Sequence, residues 1–139
     1  MFQLQVRRHF DAAHFLTHYD GKCSQMHGHT WYVDVYIEGP VLGTCNMLID
    51  FIDVKRLIDE QLTMLDHTTI NVVLNQEDPT AEFLAKWLYT QLAERLHDDP
   101  PILRVAKVTV WESLECGVSY SEDEFKWIEE ERRKCLDNP

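Results

Sequence analysis

Three imidazoles and one thiol fall within sixteen residues of this chain. His14 closes Asp11-Ala12-Ala13-His14, and Cys23-Ser24-Gln25-Met26-His27-Gly28-His29 follows. Three neutral histidines with no carboxylate among them suit Zn2+ with its fourth position open, the arrangement of a catalytic metal. Cys23 lies close to such a metal in the chain. It has two possible roles: a base standing just outside the coordination shell, or a fourth ligand that closes the shell and makes the zinc structural. The first makes an enzyme, the second a zinc-stabilised binding module.

The elements that position these groups follow from periodicity. Residues 2–14 and 27–38 both alternate like strands, with Trp31, Val33, Val35 and Ile37 on one face and Asp34 and Glu38 on the other. His27 and His29 therefore leave the same face about 6.5–7 Å apart. If the two strands pair antiparallel, His14 faces them across the ladder, where Cβ atoms approach to about 4.5–5.5 Å. Gly28 removes bulk between the two ligands. His9 has the wrong parity to join His14, and His18 lies in the loop, so neither is expected to be a ligand.

A third extended piece is expected at Cys45–Ile49, then a helix near 51–65, with Val54, Leu57, Ile58, Leu62 and Leu65 at helical spacing. A loop carries Asp66, His67 and Asn71. The next helix is expected to start at Asp78-Pro79-Thr80 and to bury Leu84, Trp87, Leu88 and Leu92. Residues 102–112 return as a strand, with a hairpin partner at 116–120. Ser121 and Glu124 then make a capping box for a last helix to about 136. This order predicts one α+β domain over 1–139 with a mainly antiparallel sheet.

Two further groups could do chemistry. In Asp66-His67 the carboxylate can fix the tautomer of the imidazole and raise its basicity, although by itself the pair reads first as a histidine matched electrostatically to a helix C-terminus. Glu112, ending a run of valines, is either a solvated strand end or an acceptor for a ligand's paired N–H groups.

Composition sets limits. The net charge of −11 argues against nonspecific binding to nucleic acid or to an anionic membrane. No apolar run approaches a membrane span, and the alternating N-terminus lacks a signal-peptide layout, which predicts a cytoplasmic protein. The four cysteines form no Cys-x-x-Cys pair and are expected to stay reduced.

Six motifs in order resemble the 6-pyruvoyltetrahydropterin synthase / 6-carboxytetrahydropterin synthase family: Phe10-Asp11-Ala12-Ala13-His14, Cys23-x-x-x-His27-Gly28-His29, Ile49-Asp50-Phe51, Leu65-Asp66-His67, Pro79-Thr80-Ala81-Glu82 and Val110-Trp111-Glu112-Ser113. The three-residue gap after Cys23 is similar to that of the queuosine-pathway branch. The resemblance implies the tunnelling fold, a four-stranded antiparallel sheet with helices on one face, whose subunits join into a β-barrel and a hexamer of two trimers. It implies zinc on His14, His27 and His29, with Cys23 as general base. Asp66 and His67 would be a relay supplied by a neighbouring subunit, and Glu112 the pterin anchor. The implied reaction converts 7,8-dihydroneopterin triphosphate to 6-carboxytetrahydropterin, acetaldehyde and triphosphate, with 6-pyruvoyltetrahydropterin formation as the alternative. Phe15 stands where many relatives carry a basic residue, so the triphosphate needs another cation, for which Lys22 is the candidate.

Overall fold

Two thirteen-residue strands form the spine of the molecule in the computed structural model, which describes residues 1–96 and 102–122 together with Arg133. Strand β1 (Phe2–His14) pairs antiparallel with β2 (His27–Gly39) along its whole length, from Phe2 opposite Gly39 to His14 opposite His27. Alternation sorts their side chains. Val6, Phe10, Ala12 and His14 share one buried face with Trp31, Val33, Val35 and Ile37. Phe10 lies directly opposite Trp31, with the rings stacked 6.0 Å apart, and the Trp31 indole N–H donates to the Ala12 carbonyl at 3.2 Å.

The other face is polar but internally paired. Arg7, directly opposite Asp34, donates to both of its carboxylate oxygens at 2.7 and 2.9 Å, and the Trp111 indole N–H adds a third bond at 2.9 Å. Gln3 and Arg104 both bond the Glu38 carboxylate.

Strand β4 (Arg104–Trp111) adds antiparallel to β2, and β5 (Gly117–Tyr120) to β4. A register shift beside Tyr36 leaves Ala106 as the extra residue of a bulge. The sheet has five strands rather than the expected four. The added one is β3 (Thr68–Thr69), which runs parallel to the outer edge of β1 and gives the order β3-β1-β2-β4-β5. Two residues are too few for a period-2 pattern to register.

Helices cover the buried face. In α1 (Phe51–Leu62), Asp50 caps the N-terminus by accepting from Ile52 N–H at 2.8 Å, and Val54, Ile58 and Leu62 point inward. The Arg8–Asp59 pair, bonded twice at 2.8 Å, ties this helix to β1. A short α2 (Ile70–Val73) follows. The cap of α3 (Ala81–Arg95) is Thr80, whose hydroxyl accepts from Phe83 N–H at 3.2 Å. The expected start at Asp78 shifts by two residues because Asp78 is engaged elsewhere. Leu84, Leu88 and Leu92 are fully buried, each contributing about 1.5–3 kcal/mol of apolar transfer, while Trp87 is only half-buried. Where a third strand was expected, Thr44–Asn46 forms a 3-10 turn, with Cys45 and Asn46 at φ near +59° and +57°. Of the last expected helix, at about 121–136, only Ser121, Glu122 and Arg133 are among the described residues, and the rest lies outside them.

Asn71 holds the segment that leaves β1. Its side-chain oxygen accepts from Phe15 N–H at 3.0 Å, and its amide donates to the carbonyls of Phe15 at 2.8 Å and Glu77 at 3.2 Å. Asn71→Ala removes all three bonds and leaves the half-buried Phe15 N–H and carbonyl without them, at an expected cost of about 1–3 kcal/mol. Urea unfolding checks it: the midpoint falls with the slope unchanged, whereas an unmoved midpoint would mean that water replaces the amide.

Candidate metal centre

Face parity and register bring the three predicted histidines together. His14 and His27 end their strands opposite one another, and His29 is one step further along the same face. The imidazole centroids stand 4.5 Å (His14–His27), 5.2 Å (His14–His29) and 4.8 Å (His27–His29) apart. Trp31 closes the inner side, edge-on to His14 and His29 at 4.8 and 5.2 Å. A Cβ on Gly28 would meet only the Ala12 carbonyl, at an ordinary 3.8 Å, so the expected steric need for glycine between the two ligands is absent within one subunit.

Backbone carbonyls orient two of the rings. His14 Nδ1 lies 2.8 Å from the Pro79 carbonyl and His27 Nδ1 lies 2.7 Å from the Gln25 carbonyl. A carbonyl can only accept, so both rings carry their proton on Nδ1 and present a bare Nε2. This outer bond is the kind that fixes a ligating histidine. Burial pushes the His14 imidazolium below its ordinary pKa, outweighing the support from Pro79 and Glu112, and burial does the same to His29. Both rings are therefore held neutral, as a metal requires.

Glu112 joins the group, a placement not expected from the chain. Its Oε1 stands 3.2 Å from His14 Nε2 and 3.0 Å from His29 Nε2. Val110 pairs with Val33, so Glu112, two residues on, projects from the same face beside Trp31. One ligand atom from each of His14, His27, His29 and Glu112 lies within 4.8 Å of every other. Yet His14 Nε2 and His29 Nε2 are buried with no hydrogen-bond partner among the described residues. Orphaned buried nitrogens aimed at a common point are costly unless a cation satisfies them. This donor set of nitrogen and oxygen fits zinc.

The other predicted residues lie outside this group. Cys23 sits half-buried in a 3-10 turn (Lys22–Ser24), its carbonyl accepting from Leu16 N–H at 2.8 Å, with Lys22 exposed beside it. Asp66 and His67 lie along the outer edge of β1. Asp66 Oδ1 accepts from Asp11 N–H at 2.9 Å, and His67, at φ +58°, bonds the Asp11 carbonyl through its own N–H. His67 Nδ1 is 2.9 Å from the Asp66 carboxylate, which raises its pKa, while Asp11 N–H and His67 lower that of Asp66. They open onto a cleft of about 480 Å³ shared with His9, Asp59 and Thr63. Of the two histidines set aside, His9 lies against Tyr32 and His18 pairs with Asp78 at 2.6 Å.

A four-group site at one end of an antiparallel sheet, backed by helices on one face, defines a class of proteins, and comparison with known proteins gives its family. The family model described as 6-pyruvoyl tetrahydropterin synthase matches residues 3–123, and the chain belongs to that family. Among its relatives, a putative 6-carboxy-5,6,7,8-tetrahydropterin synthase of Archaeoglobus fulgidus is 34% identical over 120 residues, covering 86% of this chain and 87% of the relative. The 6-carboxy-5,6,7,8-tetrahydropterin synthase of Synechocystis is 38% identical over 90 residues, 61% of this chain and 70% of the relative. A dihydroneopterin monophosphate aldolase of Pyrococcus furiosus is 29% identical over 121 residues, 87% and 94% of the two chains. The fold matches that of Caenorhabditis elegans 6-pyruvoyl tetrahydropterin synthase, with a TM-score of 0.75 at 23% identity, over 88% of this chain and 96% of that one.

His29→Ala is expected to lower metal content from about one zinc per chain to a small fraction of that, with the fold retained because His29 is only partly buried. Elemental analysis after gel filtration is the check. Stoichiometric zinc in the variant would remove His29 from the ligand set.

Proposed function

We propose that this chain is a zinc-dependent 6-carboxy-5,6,7,8-tetrahydropterin synthase of queuosine biosynthesis, acting in the cytoplasm on 7,8-dihydroneopterin triphosphate. The observation that carries the reading is the pair of buried, unpartnered imidazole nitrogens of His14 and His29, grouped with His27 and Glu112. The relatives of that name from Synechocystis, Haemophilus influenzae and Bacillus subtilis support the product. No helix among the described residues is long and apolar enough to cross a membrane.

His14, His27 and His29 would hold a zinc ion, which would supply Lewis acidity that lowers the pKa of C–H bonds beside a substrate oxygen. The remaining work falls to the chain. Cys23, four residues before His27 on a turn pinned to Leu16, is the base that takes the side-chain proton. His67, kept protonated to higher pH by Asp66, is the acid that returns it. Glu112 offers a carboxylate able to accept two parallel N–H bonds from the pterin ring. Lys22 is the nearest loop cation to Cys23 for the triphosphate. His67 is largely exposed and outside the metal group, so its role requires a second copy to present it. That supports a homo-oligomer built by closing sheets into a barrel, a hexamer in the fullest form.

The family description and the C. elegans structure bear the 6-pyruvoyl name, which favours a second reading in which the three-carbon side chain is retained. Incubation of the zinc-loaded protein with 7,8-dihydroneopterin triphosphate, with mass analysis of every product, separates them. Acetaldehyde with 6-carboxytetrahydropterin supports the first; a retained side chain without acetaldehyde overturns it. Cys23→Ala is expected to keep zinc and assembly while losing at least about a hundredfold in kcat, the lower range for removing a general base. Near-normal turnover would take Cys23 out of the mechanism. Asp66→Asn has a signed consequence. His67 with its raised pKa holds the acid form above the usual histidine range, so activity falls on the alkaline side as pH passes that pKa. Removing the carboxylate lowers the pKa and moves the alkaline limb of kcat to lower pH. A limb that stays in place would show that His67 is not the acid.

A further inference from the structure

We propose that Glu112 is the fourth ligand of the resting metal and that binding of the pterin ring pulls it off, so that the metal opens only when the correct heterocycle is seated. The argument begins with tautomers. His14 Nδ1–H is committed to the Pro79 carbonyl, which leaves a lone pair on Nε2. The Glu112 oxygen 3.2 Å from that nitrogen also presents a lone pair, and the contact lacks hydrogen-bond geometry. Two lone pairs facing one another in a buried site repel unless a positive charge stands between them. A cation satisfies both groups at once.

The spacing supports the same answer. Ligand atoms around a tetrahedral zinc with bonds of about 2.0–2.1 Å stand about 3.3 Å from one another. The separations from Glu112 Oε1 to His14 and His29 Nε2 are 3.2 and 3.0 Å, close to the edge of such a tetrahedron. The three histidines leave one vertex, and the glutamate oxygen occupies it. Glu112 can also leave. Its backbone is fixed, because its N–H donates to the Cys116 carbonyl at 3.1 Å and the Ser113 hydroxyl gathers the N–H groups of Glu115 and Cys116. Its side chain is about one-third exposed and, among the described residues, is held at His14 and His29. A change of rotamer therefore moves the carboxylate without moving the strand.

One carboxylate cannot serve a metal vertex and a pair of pterin N–H donors in full at the same time. Recognition of the ring and opening of the metal become a single event. A pterin presents the paired donors that draw Glu112 away; an unrelated hydroxylated or phosphorylated molecule does not, and meets a closed shell. The exchange rests on the pterin reading above, whereas the place of Glu112 on the resting metal does not.

The test uses the Co2+-substituted full-length protein, with azide as a probe of a vacant metal position and a pterin lacking any C6 side chain as the recognition ligand. Loss of an inner ligand should weaken the metal by no less than loss of an outer partner does, about 10–100-fold. Glu112→Gln is accordingly expected to lower Co2+ affinity by that factor, measured against a chromophoric chelator, and to bind azide correspondingly more tightly by visible absorption. In the unaltered protein the side-chain-free pterin is expected to raise azide affinity by a similar factor; in Glu112→Gln it should have no such effect. Equal metal and azide affinities in the two pterin-free proteins would overturn Glu112 as a ligand, whatever the turnover. Pterin that binds, by its fluorescence, without changing azide affinity would overturn the exchange. Failure of pterin to bind at all would overturn the exchange together with the substrate reading, while the pterin-free comparison still decides the resting ligand.

Discussion

The register of β1 on β2 is the constraint from which the site follows. With Phe10 opposite Trp31 and His14 opposite His27, the apolar residues and the three imidazoles fall on one face. A slip of one residue would turn His14 to the opposite face and bury Arg7 and His9 under the helices. The register is secured from both sides of the sheet. On the helix side the Phe10–Trp31 stack and the Trp31 bond to Ala12 lock the pairing within four residues of His14. On the other side Arg7 and Asp34 meet directly across the ladder, and the Asp34 side chain is only 2% exposed. Removing Arg7 would leave the Asp34 carboxylate without its counterion in a nearly dry position, whereas the Arg7 guanidinium, 54% exposed, keeps its access to water. The ion pair thus specifies alignment more than it adds net stability.

The candidate metal centre lies where that constraint runs out. At the ends of β1 and β2 the apolar core gives way to His14, His27 and His29, and the helix layer no longer covers the two β2 rings, which are half-exposed. His14 is the exception at 1% exposure, because the Pro79 segment folds over it. That segment is held through Asp78, which accepts from His18 N–H at 3.0 Å, and through Asn71, which bridges Phe15 and Glu77. The loop leaving β1 and the loop entering α3 are thereby stitched to each other, and the carbonyl that sets the His14 tautomer is a product of that stitching. The neighbouring ring needs no such help, since His27 finds its acceptor two residues back at Gln25.

Much of this was legible in the chain. Period-2 alternation over thirteen residues is a strong signal, so both long strands and the shared face of the three histidines could be read before any coordinates. The helical stripes of α1 and α3 were equally plain. The misses have physical causes. The stretch at Cys45–Ile49 looks extended, but Cys45 and Asn46 sit in the left-handed region, which a propensity count does not register. The two-residue β3 exists because Asp66 and His67 anchor it to Asp11, a tertiary cause with no local pattern. Glu112 was recognised as a residue that could do chemistry but not as a member of the histidine group. The signal was available in part: Val108 and Val110 mark the buried face, and Glu112 continues it. What the sequence could not say is that β4 lies beside β2, which brings a residue eighty-three positions beyond His29 to within 3.0 Å of its ring.

The separation of the two titratable clusters bears on how a sheet of this kind can be an enzyme at all. His67 lies along the β3 edge of β1, whereas the metal group lies toward β2 and β4. Asp66 and His67 spend their hydrogen bonds on each other and on the Asp11 backbone, so they are oriented without touching the metal group. A pair so well oriented and so open to solvent is suited to act on something outside its own chain. At the opposite end of the sheet the four-residue β5 leaves a short edge, and the Arg7–Asp34–Trp111 and Gln3–Glu38–Arg104 networks satisfy the uncovered face before any partner arrives. Among the described residues, edge and face are then both compatible with other copies: the edge has backbone groups to pair, and Arg7, Asp34 and Glu38 on the face are already paired. Neither cluster would have to move on assembly, because Asp66 and His67 are anchored to the Asp11 backbone of β1, while His14, His27 and His29 stand on the paired ends of β1 and β2.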